Sequence, residues 1–146
     1  ANDGASWSAL ATLPPVFPST LVTAGSRLLT STARGVYVSN DDGATWSTFN
    51  GSGDGALPTL KVQNLHSNGT AVFAWITDSN FNTILLRSPA AAAAWSVVTP
   101  QSVSSDSVDQ VITAGPNTCL RVGNSGVKYS TDGGVTWLSS SGTSGT

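Results

Sequence analysis

Aspartate is the only acidic side chain in this sequence, because the 146 residues contain eight acidic residues, all of them Asp, and no Glu. His66 is the single histidine and Cys119 the single cysteine, so neither a histidine-based catalytic pair nor a zinc cluster can be assembled. Asp54 and Asp106 lie in two long polar connections and are the best candidates for paired carboxylates in acid–base chemistry. The alternative is that both are solvated loop acids. Cys119 is expected to be a buried, unreactive thiol in a strand.

A second candidate site is the loop predicted at residues 78–82, where polar side chains surround one aromatic ring. Carbohydrate sites combine polar groups with a ring for stacking, so we expect this loop to be the ligand-binding one. Its residues are Asp78, Asn80, Phe81 and Asn82. The alternative is that Phe81 packs against the edge of its sheet. No cofactor or metal site is predicted, because the Asn40–Gly43 segment lacks the further oxygen ligands that calcium requires.

The elements that must position these residues are marked by a repeated octapeptide. Residues 39–46 read SNDDGATW and residues 130–137 read STDGGVTW, so both follow the pattern S-x-D-x-G-x-T-W. Two weaker copies end at Trp7 and Trp95, and the four tryptophans stand 39, 49 and 42 residues apart. Repeats of roughly 40–50 residues are typical of propeller blades. The shared positions are Ser39, Asp41, Gly43, Thr45 and Trp46 in one full copy and Ser130, Asp132, Gly134, Thr136 and Trp137 in the other.

The chemistry of the octapeptide predicts a turn that stabilises the fold rather than reacting. Its Asp can accept the backbone N–H groups that a tight turn leaves unpaired. Its Gly is expected to adopt a positive φ, and its β-branched Thr to restart the strand. Its Trp, with roughly 150–250 Å² of surface to bury, is predicted to wedge between neighbouring sheets. The 88–95 copy replaces the polar positions with alanine and keeps Trp95, which indicates that the wedge is the indispensable part.

Period-two alternation, punctuated by Gly, Asn, Asp and Ser, predicts an all-β fold without helices. The predicted strands A to D are 19–24, 27–31, 35–39 and 45–49 in the first blade, 62–66, 71–77, 83–88 and 94–99 in the second, and 110–114, 118–122, 126–130 and 136–139 in the third. Residues 6–9 are predicted as an orphan D strand. Residues 1–139 therefore form one propeller segment, and residues 140–146 form a Ser/Gly/Thr-rich tail. The D–A crossings, which carry Asp54 and Asp106, are expected on the same face as the B–C loops, opposite the octapeptide turns.

Charge and hydropathy exclude several classes of function. Only 10% of the residues are charged and the net charge is −2, so no basic stripe is present to bind nucleic acid. No apolar run approaches the ~20 residues of a membrane span. The composition is typical of an extracellular, cell-surface or virion protein.

On its octapeptides, the chain resembles the Asp-box (BNR) repeat superfamily, which includes sialidases, xyloglucan-degrading glycosidases, sortilin-type receptors, photosystem II assembly propellers and phage tail proteins. The resemblance implies a β-propeller of four-stranded antiparallel blades, and it implies no single activity. A sialidase would need a glutamate to activate Tyr37 or Tyr129, and none exists. These tyrosines are expected at one repeated position, which favours packing. The arginines are spread over different predicted strands and loops, and nothing in the sequence brings them together as a substrate clamp. A xyloglucanase needs two aspartates across a cleft, for which Asp54 and Asp106 are the candidates.

Three blades are fewer than the typical 4–8 of a closed propeller. The sequence therefore predicts a partial propeller or a ring completed by oligomerisation, with three possibilities left open: a piece of a longer propeller, a homo-oligomer, or a part stacked in a larger protein assembly. The favoured function is a non-catalytic binding or structural module, with a glycan as its possible ligand. The alternative is a segment of a secreted glycoside hydrolase that uses aspartates.

Overall fold

The structure is a computed structural model that describes residues 17–77, 83–98, 108–114, 117–122 and 126–140. Within these residues the chain forms twelve strands and one short 3-10 helix, Gly53–Gly55. The strands are β1 Pro18–Ala24, β2 Arg27–Thr32, β3 Gly35–Ser39, β4 Ser47–Thr48, β5 Val62–Ser67, β6 Ala71–Thr77, β7 Thr83–Pro89, β8 Ser96–Val97, β9 Val108–Ala114, β10 Asn117–Val122, β11 Gly126–Ser130 and β12 Leu138–Ser139.

Each run of four consecutive strands forms one antiparallel sheet with the strands in chain order. We call these sheets blade 1 (β1–β4), blade 2 (β5–β8) and blade 3 (β9–β12). The predicted fold class is confirmed, because three four-stranded antiparallel blades follow one another along the chain. The third strand of each blade leads through an octapeptide turn into the short fourth strand.

The fourth strands are shorter than predicted, and in blades 1 and 3 the turns account for their later start. β4, β8 and β12 each have two residues. Thr45 and Thr136 were expected to restart these strands. Instead their backbone N–H groups and hydroxyls bond to the turn carboxylates of Asp41 and Asp132, so neither group is available for pairing with the third strand. The other strands agree with the prediction to within two residues at either end.

The blades pack face to face along two surfaces, which we call seam 1–2 and seam 2–3. Seam 1–2 holds a large apolar cluster in which Leu29 and Val38 of blade 1 meet Leu65 and Leu86 of blade 2. Seam 2–3 has a smaller apolar cluster, formed on the opposite face of blade 2 by Phe73, Trp75 and their neighbours against Val111 and Trp137 of blade 3. Blade 2 is therefore buried on both faces.

The two tyrosines do not share a position in the repeat, so that prediction was wrong. Tyr37 lies opposite Thr48, two residues before Ser39, whereas Tyr129 lies opposite Leu138 and directly precedes Ser130. Because successive side chains in a strand point to opposite faces, the two rings leave opposite faces of their blades. Tyr37 is buried and Tyr129 is half-buried.

Some predicted features lie outside the described residues: the strand at 6–9, Trp7, and residues 141–146 of the tail. In the part of the chain that is described, no helix is long and apolar enough to cross a bilayer.

Candidate functional site

The 39–46 turn is closed around the carboxylate of Asp41. Oδ1 accepts hydrogen bonds from the Ser39 hydroxyl and the Thr45 backbone N–H, both at 2.8 Å, and Oδ2 accepts one from the Thr45 hydroxyl at 2.5 Å. The Ser39 hydroxyl oxygen in turn accepts the Gly43 N–H at 2.8 Å. Gly43 has φ +90°, the positive value that the sequence predicts.

The 130–137 turn repeats this arrangement. Asp132 Oδ1 accepts the Ser130 hydroxyl at 2.7 Å, the Val135 N–H at 3.0 Å and the Thr136 N–H at 2.9 Å. Its Oδ2 accepts the Thr136 hydroxyl at 2.6 Å. Gly134 has φ +88° and donates its N–H to the Ser130 hydroxyl oxygen at 2.7 Å. Two sequences 91 residues apart thus build the same bonded turn.

These hydrogen bonds lower the pKa of both carboxyls below the ordinary aspartate value. For Asp41 and Asp132 the largest cause is the threonine hydroxyl, followed by the threonine backbone N–H and then the serine hydroxyl. Every one of these bonds favours the ionised form. A carboxylate held ionised and occupied by donors at both oxygens is suited to stabilising a turn and unsuited to delivering or accepting a catalytic proton.

The 88–95 turn has no carboxylate and is stabilised by its own serine and by an arginine of blade 1. The Ser88 hydroxyl oxygen accepts the Ala94 N–H at 2.9 Å. Arg27 of blade 1 crosses seam 1–2 and donates from Nη1 to the carbonyls of Ala90 and Ala91, at 2.8 and 2.9 Å. An arginine from the preceding blade therefore bonds the turn in which alanine replaces the polar residues.

Trp95 crosses seam 1–2 as a buried wedge. Its side chain is only 3% exposed, and its ring meets Phe49 of blade 1 edge-on, with centroids 6.0 Å apart. The indole N–H donates to the Phe49 carbonyl at 3.0 Å, and the backbone N–H donates to the Gly55 carbonyl at 2.9 Å. Both donors of one residue thus bond to the chain that leaves blade 1.

Seam 2–3 has a different set of contacts around Trp137. This ring packs edge-on against Phe73 of blade 2 at 6.4 Å, but its buried indole Nε1 has no hydrogen-bond partner within the described residues. Arg87 of blade 2 donates from Nε to the Gly133 carbonyl at 2.7 Å, as Arg27 does to the preceding turn. Further bonds join Asn68 Nδ2 to Thr118 Oγ1 at 2.8 Å and His66 Nε2 to Thr113 Oγ1 at 3.0 Å.

The arginines are the seam residues that sequence reasoning missed. Arg27 and Arg87 each bond the turn of the following blade, in two different seams, so these two do not converge on a shared substrate group. Nothing local marks them, since their partners are backbone carbonyls 63 and 46 residues further along the chain.

Asp54, one of the two predicted carboxylates, is exposed in the 3-10 helix of the first crossing. The crossing starts beside the β2–β3 loop, where Asn50 Oδ1 accepts the Val36 N–H at 2.8 Å. It then reaches the end of the 88–95 turn, because the Gly55 carbonyl bonds Trp95. Asp54 therefore lies on a crossing that contacts the β2–β3 loop, the B–C loop of blade 1, at its start and the end of an octapeptide turn further on.

The remaining predicted site residues cannot be placed. Asp106 and the proposed ligand loop, with Asp78, Asn80, Phe81 and Asn82, lie outside the described residues. Cys119 does lie in a strand, but it is half-buried rather than buried as predicted. His66 is half-buried too, and this desolvation lowers its pKa below the ordinary value. Among the described residues no three His, Cys, Asp or Glu side chains are grouped to hold a metal.

An open pocket of about 330 Å³ lies beside Arg27, on the side of the blades that carries the octapeptide turns. Its walls come from the β1–β2 turn, from Gly69 and Thr70, and from Ala90 and Ala91. Small side chains line most of it, and the Nη1 of Arg27 is already bonded to two carbonyls. The pocket lies between the hairpins of blades 1 and 2, and apart from Arg27 no ionisable side chain lines it. It therefore does not bring together groups that could react.

No protein-family model and no curated protein matches the chain. Among solved structures, an ancestral GH74 enzyme is similar, with a TM-score of 0.62 and 19% identity over 97% of this chain and 21% of that one. YCF48 from Cyanidioschyzon merolae aligns with a TM-score of 0.57 and 18% identity over 89% of this chain and 39% of that one. The GH74 xyloglucanase from Xanthomonas campestris has a TM-score of 0.52 and 16% identity, covering 77% and 18% respectively.

These similarities establish the fold and no more. Together with the three four-stranded blades, they show that the chain folds as a segment of a β-propeller. The chain spans about a fifth of the length of the ancestral enzyme and about two fifths of YCF48. Identities of this size carry no activity from those proteins to this chain.

Proposed function

We propose that this chain is a non-catalytic β-propeller module that binds or builds within a cell-surface, secreted or virion assembly. We further propose that its 39–46 and 130–137 turns are Asp-boxes. One observation carries the proposal: the charged side chains in unusual environments form hydrogen bonds that hold the turns and blades of the fold together. Asp41 and Asp132 accept bonds inside their own turns, and Arg27 and Arg87 bond the turns of the following blades.

A glycan is the ligand class we propose for this module. The support is compositional: the 78–82 segment combines Asp78, Asn80 and Asn82 with the ring of Phe81, and the whole chain is rich in uncharged polar residues. The extracellular, cell-surface or virion location is proposed on the same ground. A glycan-array screen tests this ligand class, and we expect Phe81→Ala to weaken any glycan that binds. If no glycan binds, the module has a purely structural role.

A segment of a glycoside hydrolase is the second candidate. Two observations favour it: the likeness to GH74 enzymes, and Asp54, which is exposed on a crossing fixed by backbone hydrogen bonds. In that case Asp54 and Asp106 would divide the work of a two-carboxylate mechanism.

Turnover of fluorogenic glycosides and of xyloglucan oligosaccharides separates the two candidates. We expect no hydrolysis above the buffer rate from the wild-type chain. Asp54→Asn and Asp106→Asn test the carboxylates, and Asp42→Asn is the matched control, since Asp42 is an exposed turn residue with φ +55° that Asn tolerates. Hydrolysis that is lost in Asp54→Asn or Asp106→Asn and kept in Asp42→Asn would overturn the non-catalytic proposal.

A further inference from the structure

Blade 3 presents an apolar row across all four of its strands. Ile112, Cys119, Tyr129 and Leu138 lie directly opposite one another on neighbouring strands, so their side chains share one face. Ile112 is 47% exposed and Leu138 is 52% exposed. Val127, on the same face, is 39% exposed. Large apolar side chains that are adjacent and exposed mark a surface made for contact.

The equivalent rows of the other two blades are covered by the blade that follows. In blade 1 the row contains Leu29 and Val38, which are 0% and 6% exposed in seam 1–2. In blade 2 it contains Phe73, which is 0% exposed, and Arg87, which bonds the 130–137 turn across seam 2–3. The row of blade 3 therefore occupies the position at which a further blade packs twice elsewhere in this molecule.

The fourth-strand end of this row is also more apolar in blade 3 than in the other two blades. The residue at the fourth-strand end of the row is Ser47 in blade 1 and Ser96 in blade 2, and both are exposed. In blade 3 the same position is Leu138. Because Ser47 and Ser96 stay exposed with a blade packed beside them, Leu138 lies at the rim of this surface and extends its apolar area.

The opposite end of the array has the complementary surface. Leu65 of blade 2 and Val111 of blade 3 are each 5% exposed, because each packs against the preceding blade. The same position in blade 1 is Leu21, which is 63% exposed. Trp46, the counterpart of the seam residues Trp95 and Trp137, is half-buried and donates its indole N–H to Gly43 of its own turn. On this face of blade 1 the first strand, β1, is exposed, whereas Thr30 of β2 and Tyr37 of β3 are buried.

From these two ends we infer that blade 3 of one copy packs head to tail against the exposed first strand of blade 1 in a second copy. This inference rests on the proposed role as a propeller module. Leu21 and the Trp46 turn of the second copy would cover Ile112 and Cys119 of the row. The contact is heterologous, because a different surface of each copy takes part in it.

The mass of the particle in solution tests the inference. Sedimentation velocity over a wide concentration range is expected to show the 14.8 kDa chain associating. Leu21→Asp and Ile112→Asp, one at each end, each place a charge in the seam and are expected to weaken association by more than about tenfold. Val135→Asp is the matched control, because Val135 is 63% exposed in a turn outside both surfaces.

Mixing the two end variants distinguishes a head-to-tail seam from a face-to-face one. Each variant keeps one intact end, so the mixture is expected to regain a dimer with a single seam that neither variant forms alone. Cys119 supplies a readout that needs no substitution at the interface: its labelling by a maleimide should slow as the concentration of wild-type chain rises. Circular dichroism of each variant confirms that the blades still form.

Three outcomes would overturn the inference: a 14.8 kDa monomer at every concentration, association that both Asp variants retain, or a mixture that stays monomeric. These outcomes are independent of the glycoside and glycan assays. A catalytic chain that dimerises refutes the proposed function alone, and a non-catalytic chain that stays monomeric refutes this inference alone.

Discussion

Seams 1–2 and 2–3 use the same elements in different proportions. In seam 1–2 an apolar cluster surrounds Trp95, which is 3% exposed and has both of its N–H groups bonded. In seam 2–3 the cluster is smaller, Trp137 is half-buried, and hydrogen bonds from the side chains of Arg87, Asn68 and His66 join the blades. The same repeat position is thus fully buried with both N–H groups bonded in one seam, and half-buried with an indole N–H that has no partner among the described residues in the next.

The difference predicts unequal consequences when each tryptophan is truncated. Trp95→Ala removes a fully packed ring and should lower the free energy of unfolding by about 3–5 kcal/mol. Trp137→Ala removes a half-buried ring from a smaller cluster and should lower it by about 2–3 kcal/mol. Urea unfolding followed by far-ultraviolet circular dichroism measures both.

Tryptophan-to-phenylalanine variants supply the matched control. Trp95→Phe keeps a ring but leaves the Phe49 carbonyl without its donor. This should lower the free energy of unfolding by about 1 kcal/mol in addition to the effect of the smaller ring. Trp137→Phe removes an indole N–H that has no partner among the described residues, so this cost should be missing. Equal losses for the two alanine variants would remove the distinction between the seams.

What could be predicted from the sequence was local in origin. β3, β6 and β11 agree with the expected ranges because their alternation and flanking turn residues lie within a few positions of each other. The turn carboxylates Asp41 and Asp132 were identified because their partners fall within four residues.

What was missed depends on distance along the chain. The bonds from Arg27 and Arg87 to the turns of the following blades leave no periodic signal. The hydrogen bond from Trp95 to the Gly55 carbonyl of the crossing that carries Asp54 joins residues 40 positions apart and has no local signal either. In blades 1 and 3 the fourth strand begins later than predicted, since threonine has a high strand propensity but here bonds to its turn aspartate instead.

Alanine substitutions at Gly134 and Gly133 separate the effect of turn geometry on stability from the effect of seam packing. Both have positive φ, +88° and +73°, so alanine at either one strains the backbone by about 1–3 kcal/mol. A Cβ at Gly134 would also lie 2.5 Å from Phe73 Cζ in seam 2–3, whereas at Gly133 the nearest atom is Thr70 Oγ1 at 3.4 Å. Gly134→Ala should therefore cost clearly more than Gly133→Ala in the same unfolding experiment. A Gly133→Ala loss as large as the Gly134→Ala loss would mean that the turn backbone, and not the seam, sets the requirement for glycine.

The smallest expected effect is a pH dependence that separates the two carboxylate turns from the alanine turn. The folded-state pKa values of Asp41 and Asp132 lie below the unfolded value of about 3.9. Their contribution to stability is therefore complete above that pH and is lost as the pH falls through the folded values. His66 adds a loss of the same sign below its unfolded pKa of about 6.5, because burial lowers its folded pKa.

Asp132→Asn isolates the carboxylate contribution from that of His66. The variant should be less stable than wild type at pH 7, and the difference should shrink as the pH falls below about 4, because the unfolded chain then takes up a proton that the folded carboxylate, with its lowered pKa, does not. Urea midpoints at matched ionic strength measure this convergence. If the Asp132→Asn and wild-type curves stayed parallel through the acid range, the hydrogen bonds in this turn would not depend on the charge of its aspartate, and the carboxylate and alanine turns would be equivalent ways of carrying a tryptophan into a seam.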